Sequence, residues 1–207
     1  MSIYIIEKLI VKVRKKMIKN TKKSKVAIDK HNSLCYNDTM KNNNNNRTKA
    51  FVFDFDDTLA TTAARVVVLE HGQFSHSISA AEYNTHKLNE NESYYFGEFR
   101  NPEFIVNGKP LGLIELAKAV YAEGHSLYIL TARNEAASNA IAEFLTQYNI
   151  TAKMIFCVGK DSSTNIAKAK QSVLMTIIDN HDITYFYDDD EANIELASSL
   201  DCKAELV

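Results

Sequence analysis

At 207 residues and 45% apolar composition, the chain can bury one full core, and a single domain of ordinary size is expected. The net charge of −2 conceals a split: residues 1–49 hold 13 Lys/Arg against 3 acids, while residues 50–207 hold 11 against 23, so a basic tail precedes an acidic domain. No apolar run approaches the 18 or so residues of a membrane helix, the start lacks the small-residue cleavage site of a secretory leader, and three scattered cysteines (Cys35, Cys157, Cys202) offer neither a disulfide framework nor a zinc pattern, which suits an intracellular, cytoplasmic setting.

In the tail, Ile3, Ile6, Ile10, Val13 and Met17 recur at helical spacing with Lys8, Lys12, Lys15, Lys16 and Lys19 mostly off the stripe. This predicts a basic amphipathic helix over residues 2–19. The stretch that follows has no period and contains five consecutive asparagines, a linker composition that puts the domain boundary near residues 47–49. Residues 1–48 read as a disordered extension, as a contact for nucleic acid or another anionic surface, or as a targeting segment, the last disfavoured by Glu7.

The domain opens on "FVFDFDDTLATT", residues 51–62, an apolar strand over 50–55 that runs into Asp54, Asp56 and Asp57. Unit charges about 4 Å apart repel by roughly 4 kcal/mol at an effective dielectric near 20, so these acids require a compensating partner. Next, "ARVVVLEHGQF" reads as a strand with a turn near His71 and Gly72. "SAAEYNTHKL" reads as a short helix with a capping box from Ser79 and Glu82, and "YYFGEFRNP" supplies exposed-looking aromatics. Helices over 112–123, 135–148, 164–179 and 191–199 then alternate with strands over 126–131, 153–158 and 184–188, and Asp190 and Glu191 cap the last helix. This order predicts an α/β, Rossmann-like three-layer sandwich around a parallel sheet. Ligands gather beyond the carboxyl ends of such strands, where Asp54 and Asp56, Thr131, and Asp188 to Asp190 stand.

These residues resemble the motifs of the haloacid dehalogenase (HAD) superfamily of phosphohydrolases. Asp54, Asp56 and Thr58 match its Asp-x-Asp-x-Thr; "LYILTAR" at Thr131 matches its second motif; "YFYDDD" at Asp188 and Asp189 matches its fourth. The resemblance covers residues 50–207, and within the superfamily it is nearest to small viral and phage members and to polynucleotide 3′-phosphatase-type domains. The insert over about 60–110 then corresponds to a small cap. A small cap leaves the site open to bulky substrates, and Tyr94, Tyr95, Phe96 and Phe99 are available to stack on bases or to pack on the core.

The resemblance also calls for a lysine, for which Lys153, Lys160, Lys168 and Lys170 are candidates. On the helix over 164–179, Ile166, Lys170, Val173 and Ile177 share a face and Lys168 falls on another. A lysine on the core stripe needs a buried anion, so Lys170 is chosen, with Lys168 the runner-up and Lys160 an outside candidate. By resemblance, Asp54, the Asp56 carbonyl, Asp188 and Asp189 hold Mg²⁺, for which an all-oxygen donor set is suited. Asp54 is then the nucleophile, Asp56 the acid and base, and Thr131 and Lys170 hold the phosphoryl oxygens. Arg133 either contacts a substrate phosphate or forms an exposed salt bridge. Asp57 serves the local fold, Thr58 ties the turn by hydrogen bonds to backbone, and the six histidines match no metal site. The function expected is Mg²⁺-dependent hydrolysis of a phosphomonoester, such as a nucleotide or nucleic-acid end, through an aspartyl-phosphate. A phosphotransferase or mutase on the same scaffold, and a binding protein that has lost the chemistry, are the alternatives.

Overall fold

The structure, a computed structural model of the chain, describes residues 48–207 except Asn84 and residues 160–163, so the expectations for the tail and for Lys160 lie outside the described residues. The chain enters through β1 (Lys49–Phe53) and passes into an inserted segment made of β2 (Ala60–Thr61), β3 (Val66–Glu70), β4 (Gln73–Ile78), α1 (Ala80–Tyr83), β5 (Glu92–Tyr95), α2 (Pro102–Val106) and β6 (Lys109–Pro110). It continues as α3 (Leu113–Ala122), β7 (Ser126–Thr131), α4 (Ser138–Thr146), β8 (Met154–Cys157), α5 (Ile166–Ile178), β9 (Ile183–Asp188), α6 (Glu191–Ser198) and β10 (Lys203–Leu206).

Five strands form one parallel sheet in the order β10-β9-β1-β7-β8. β1 takes the centre because both its faces are apolar: Ala50 and Val52 lie on one, Phe51 and Phe53 on the other, and all four are buried. On the first face they join Tyr128, Leu130 and Phe186 beneath Leu174 and Ile177 of α5 and Ala197 of α6. On the second, Phe51 stacks on Tyr185 at 4.7 Å and Phe53 on Tyr187 at 5.1 Å. Burying a phenylalanine such as Phe53 or Phe186 completely contributes about 1.5–3 kcal/mol. The register pairs Ala50 with Thr184 and Val52 with Phe186. With side chains alternating, Asp54 and Asp188 emerge on the α5 side of the sheet, and this parity positions the site.

The four expected core strands and the helices between them are present, with bounds that differ from the expected ones by no more than three residues. The helix expected over 135–148 starts as a 3₁₀ turn at Glu135–Ala137, and the last strand, β10, had no sequence counterpart. In the insert, β4-β3-β5 is a separate antiparallel sheet on a two-stranded stem of β2 and β6. The β3–β4 turn has positive φ at both His71 (49°) and Gly72 (77°), the backbone that a two-residue hairpin turn of matching twist demands. The capping box closes as expected: the Glu82 carboxylate accepts from Ser79 N at 2.6 Å, and Ser79 Oγ accepts from Glu82 N at 3.2 Å. Of the exposed-looking aromatics, Tyr94, Phe96 and Phe99 instead pack against Val66, Val68 and Ile78, while Tyr95 stays 55% exposed. No helix among the described residues is long and apolar enough to cross a membrane.

Candidate active site

The carboxyl ends of β1, β7 and β9 meet at a cavity of about 630 Å³. Asp54, Asp56, Thr131, Lys170, Asp188 and Asp189 all line it, which brings the residues singled out from the sequence into one place. Asp54 is still in the sheet ladder, its N–H donating to Tyr187 O at 2.9 Å. Beyond it the chain reverses tightly: Leu59 N and Ala60 N both donate to Phe55 O, and Asp57 N donates to Ala60 O. Asp57 sits at φ 52°, a left-handed conformation that Asp tolerates better than most residues. Thr58 departs from expectation. Its buried Oγ1 has no hydrogen-bond partner among the described residues, so the turn is held by backbone bonds.

Lys170 is the buried lysine of α5. Its Nζ donates to Asp54 Oδ1 at 2.8 Å and to Asp188 Oδ2 at 2.7 Å, with all three side chains at most 6% exposed. Lys168 is exposed, as its place off the core stripe requires. Burial alone would lower the Lys170 ammonium, but the two carboxylates outweigh burial and hold it charged, above its ordinary value. Asp54 moves up as well. Burial is the main cause, and with Asp188 and Asp56 close by it overcomes the pull of the ammonium, so the carboxyl lies well above the usual range. Asp189 is half-buried and pushed up to about 6 by burial and by Asp188.

Asp188 is anchored on its other oxygen as well, which accepts from Asp190 N at 3.0 Å and from Asn193 Nδ2 at 2.9 Å. Asp190 caps α6 by accepting from Ala192 N. Asn193 was missed from sequence. The signal was its position in the first turn of a helix that starts just past an acidic strand end, which turns its side chain back toward that end. Thr131 is 1% exposed, and its Oγ1 accepts from Arg133 N at 3.2 Å. Gly159 closes this corner: its N–H donates to Arg133 O, and a Cβ there would lie 1.9 Å from Ala132 O.

Arg133 forms no exposed salt bridge. Its side chain is 1% exposed and grips Asp56 with both arms of the fork, Nε to Oδ2 at 2.8 Å and Nη2 to Oδ1 at 2.7 Å. The structure thus couples it to the second aspartate of the motif, a pairing that the sequence reading did not contain. The two described cysteines take no part: burial pushes Cys157 to about 12 and Cys202 to about 11, the behaviour of inert thiols.

The donors fit a hard divalent cation. One oxygen each from Asp54, Asp188 and Asp189 lies within 4.8 Å of the others, and the donor set is all carboxylate. Burial, with neighbouring carboxylates, raises the proton affinities of Asp54 and Asp189, which additional positive charge beside them would offset. The Asp56 side chain is outside this group because Arg133 holds it.

No protein-family model and no curated protein matches the chain. Among solved structures, it is similar to a chain in the Pnkp1/Rnl/Hen1 RNA repair complex, with a TM-score of 0.51 and 14% identity over 86% of this chain and 46% of that one. A second Pnkp1/Rnl/Hen1 complex gives 0.50 and 13% over 86% and 50%. A HAD-superfamily hydrolase from Geobacter sulfurreducens PCA is a looser match, at 0.44 and 13% over 74% and 86%. The likeness is one of fold. The parallel sheet with acids at its strand ends, beside a separate antiparallel sheet in the insert, is the α/β, Rossmann-like arrangement expected from the motifs. The chain spans about half the length of the two RNA-repair chains, and identities this low speak to the fold alone.

Proposed function

We propose that the chain is a Mg²⁺-dependent phosphomonoester hydrolase that works through an aspartyl-phosphate on Asp54. The observation that carries this reading is the buried Asp54–Lys170–Asp188 cluster at the cavity's end, with Asp56 and Thr131 beside it. Asp54, Asp188, Asp189 and the Asp56 carbonyl would hold Mg²⁺, which would supply positive charge to offset that of the phosphoryl group.

Asp54 Oδ attacks phosphorus, and the bond from phosphorus to the ester oxygen breaks. Asp56 gives that oxygen its proton, so the alcohol leaves neutral. Asp56 then takes a proton from the water that attacks the acyl-phosphate, and this releases inorganic phosphate and restores Asp54. Thr131 and the Lys170 ammonium hold the phosphoryl oxygens; the ammonium is already in place and charged, so no reorganisation accompanies charge build-up. Asn193 and Asp190 N keep Asp188 from turning away.

The leaving group is taken to be a nucleotide or a nucleic-acid end. A cavity of about 630 Å³ is sized for a whole small ligand rather than for a bare phosphate, and its cap side presents Tyr95 and Tyr83. The fold of the RNA-repair chains is consistent with this choice. The tail at residues 1–48 would recruit the polyanion that the acidic domain by itself repels, an attraction that weakens with salt. Turnover on nucleotides, 3′-phosphorylated oligonucleotides and phosphopeptides, with and without EDTA, tests the reading. Absence of phosphate release from every monoester, or EDTA-resistant release, would refute it, and transfer to an acceptor other than water would identify a phosphotransferase.

A further inference from the structure

The guanidinium of Arg133 holds more than Asp56. Nη1 donates to the backbone carbonyl of Phe99 at 2.6 Å, and Nη2 donates to Thr62 Oγ1 at 3.0 Å. Phe99 belongs to the 3₁₀ turn Gly97–Arg100 of the cap, and Thr62 stands just past β2, where the cap begins. The Phe99 ring lies over the guanidinium carbon at 5.0 Å, with Phe55 of the core at 5.7 Å. A guanidinium has five N–H groups, and four are engaged here, two by the core aspartate and two by the cap. Little is left to grip a phosphate.

From this geometry we infer that Arg133 is a positioning residue that joins the cap's seat on the core to the placement of Asp56. The inference rests on the reading of Asp56 as the proton donor and acceptor. Each carboxylate oxygen has two acceptor directions. The fork occupies one on each oxygen, and the 21% of the side chain that remains exposed faces the cavity. The Thr62 hydroxyl donates to Oδ1 as well, at 3.4 Å, so Asp56 is held in one rotamer with one direction of Oδ2 open to the leaving group. Lifting the cap would remove Phe99 O and Thr62 from the guanidinium, leave a buried cation with unmet donors and loosen its hold on Asp56. Proton transfer is therefore set only when the cap is seated. Coupling of this kind is reciprocal, so a change at Asp56 must also loosen the cap. The role depends on a planar fork that reaches two partners at once, which a lysine cannot reproduce.

The test compares wild type, Asp56→Asn, Arg133→Lys and Thr62→Val on two esters, p-nitrophenyl phosphate, whose leaving group needs no proton, and an alkyl phosphate, whose leaving group does. Asp56→Asn should lose about 10²–10⁴-fold in kcat on the alkyl ester and far less on the aryl ester. If it shows no such split, the proton-transfer reading itself fails, whatever Arg133 does. Given the split, Arg133→Lys should share it, losing about tenfold or more beyond its loss on the aryl ester, with KM little changed. Equal losses on both esters with a raised KM, or rescue of the alkyl ester by Lys, would overturn the positioning role in favour of a phosphate ligand. Should Arg133→Lys not fold, Thr62→Val removes the bond from Arg133 Nη2 and the longer one to Asp56 Oδ1, and the same split at about fivefold is expected. A loss equal on the two esters, or no loss, overturns the proposal there too. In the metal-free protein, both Asp56→Asn and Arg133→Lys should speed amide exchange in β3 and β5, and unchanged exchange in both would sink the coupling.

Discussion

Replacing Lys170 by methionine isolates the electrostatics of the site from its chemistry. Methionine keeps most of the side-chain length and is apolar, so it suits the buried stripe that position 170 shares with Leu174 and Ile177. What disappears is the ammonium at 2.8 Å from Asp54 and 2.7 Å from Asp188, all three groups being buried. Removing one partner from a buried ion pair leaves an uncompensated charge and costs about 3–5 kcal/mol. For a domain of this size a loss of 1 kcal/mol lowers Tm by about 2–4 °C, so metal-free Lys170→Met should melt roughly 6–20 °C below wild type at pH 7.5. The stranded carboxyls can take up a proton instead, so the deficit should shrink as the pH is lowered toward 5. Mg²⁺ can take the place of the missing charge, so its addition should recover more stability in the variant than in wild type. Lys168→Met on the exposed face of the same helix should stay within about 0.5 kcal/mol. Thermal melts in EDTA and in Mg²⁺ decide the matter. A metal-free Lys170→Met within 1 kcal/mol of wild type would refute the buried-triad reasoning.

Asp54→Asn should fold at least as stably as wild type in EDTA, since it removes a carboxyl whose ionisation burial disfavours, and should lose essentially all phosphate release; turnover near wild type would end the proposed mechanism. Asp54 lies above its unfolded value and Asp189 is raised to about 6 against an ordinary 3.8. Their ionisation therefore penalises the metal-free fold, fully above the folded values and not at all below the unfolded one. On these groups' account, EDTA-treated protein should gain stability between pH 7 and pH 5, while the Mg²⁺-induced rise in Tm should grow over the same window as pH increases; an Mg²⁺ effect independent of pH would contradict this. Gly159→Ala places a methyl against the Ala132 carbonyl and should destabilise by more than about 1 kcal/mol, whereas Gly112→Ala, with open space around it, should be neutral or stabilise by up to about 1 kcal/mol; equal melting points would show that the Gly159 corner yields freely.

Legibility from sequence followed the range of the interaction. Strand-end acids were readable because period-2 alternation makes the face of Asp54 and of Asp188 a consequence of the buried residues before them. Lys170 was separable from Lys168 because one helical stripe must face the core, and charge on that stripe requires a partner. The turn at His71 and Gly72 was readable because few residues accept its backbone. By contrast, β10 is a short, mostly exposed edge strand of mixed polarity, so nothing in its composition announces pairing with β9. Thr58 was expected to bond the turn because hydroxyls so often do, yet the backbone had already closed that turn. The Arg133 pairing was invisible for another reason: two of its partners are a backbone carbonyl and a hydroxyl in the cap, 34 and 71 positions away, and neither carries a residue-type signature.

The site's two buried cations also differ in what they make possible. Lys170 bridges Asp54 and Asp188, the two acids whose strands pair directly, and every atom of that triad belongs to the core. Arg133 bridges Asp56 to the cap. A core with its own buried cation can keep Asp54 and Asp188 in register while the cap moves, because among the described residues the side-chain partners of both carboxylates belong to the core. If the proton donor were fixed in the same way, an open site would be as ready to protonate a leaving group as a closed one, and water would reach both. Dividing the two aspartates of the motif between a core cation and a cap-linked one separates binding of the phosphoryl group from proton transfer. On this argument an isolated core with β2 and β6 joined by a short loop should still bind inorganic phosphate with Mg²⁺, yet hydrolyse alkyl esters far more slowly than p-nitrophenyl phosphate. Loss of phosphate binding in that shortened protein, measured by calorimetry on a folded sample, would show that the cap is needed to form the phosphoryl site itself.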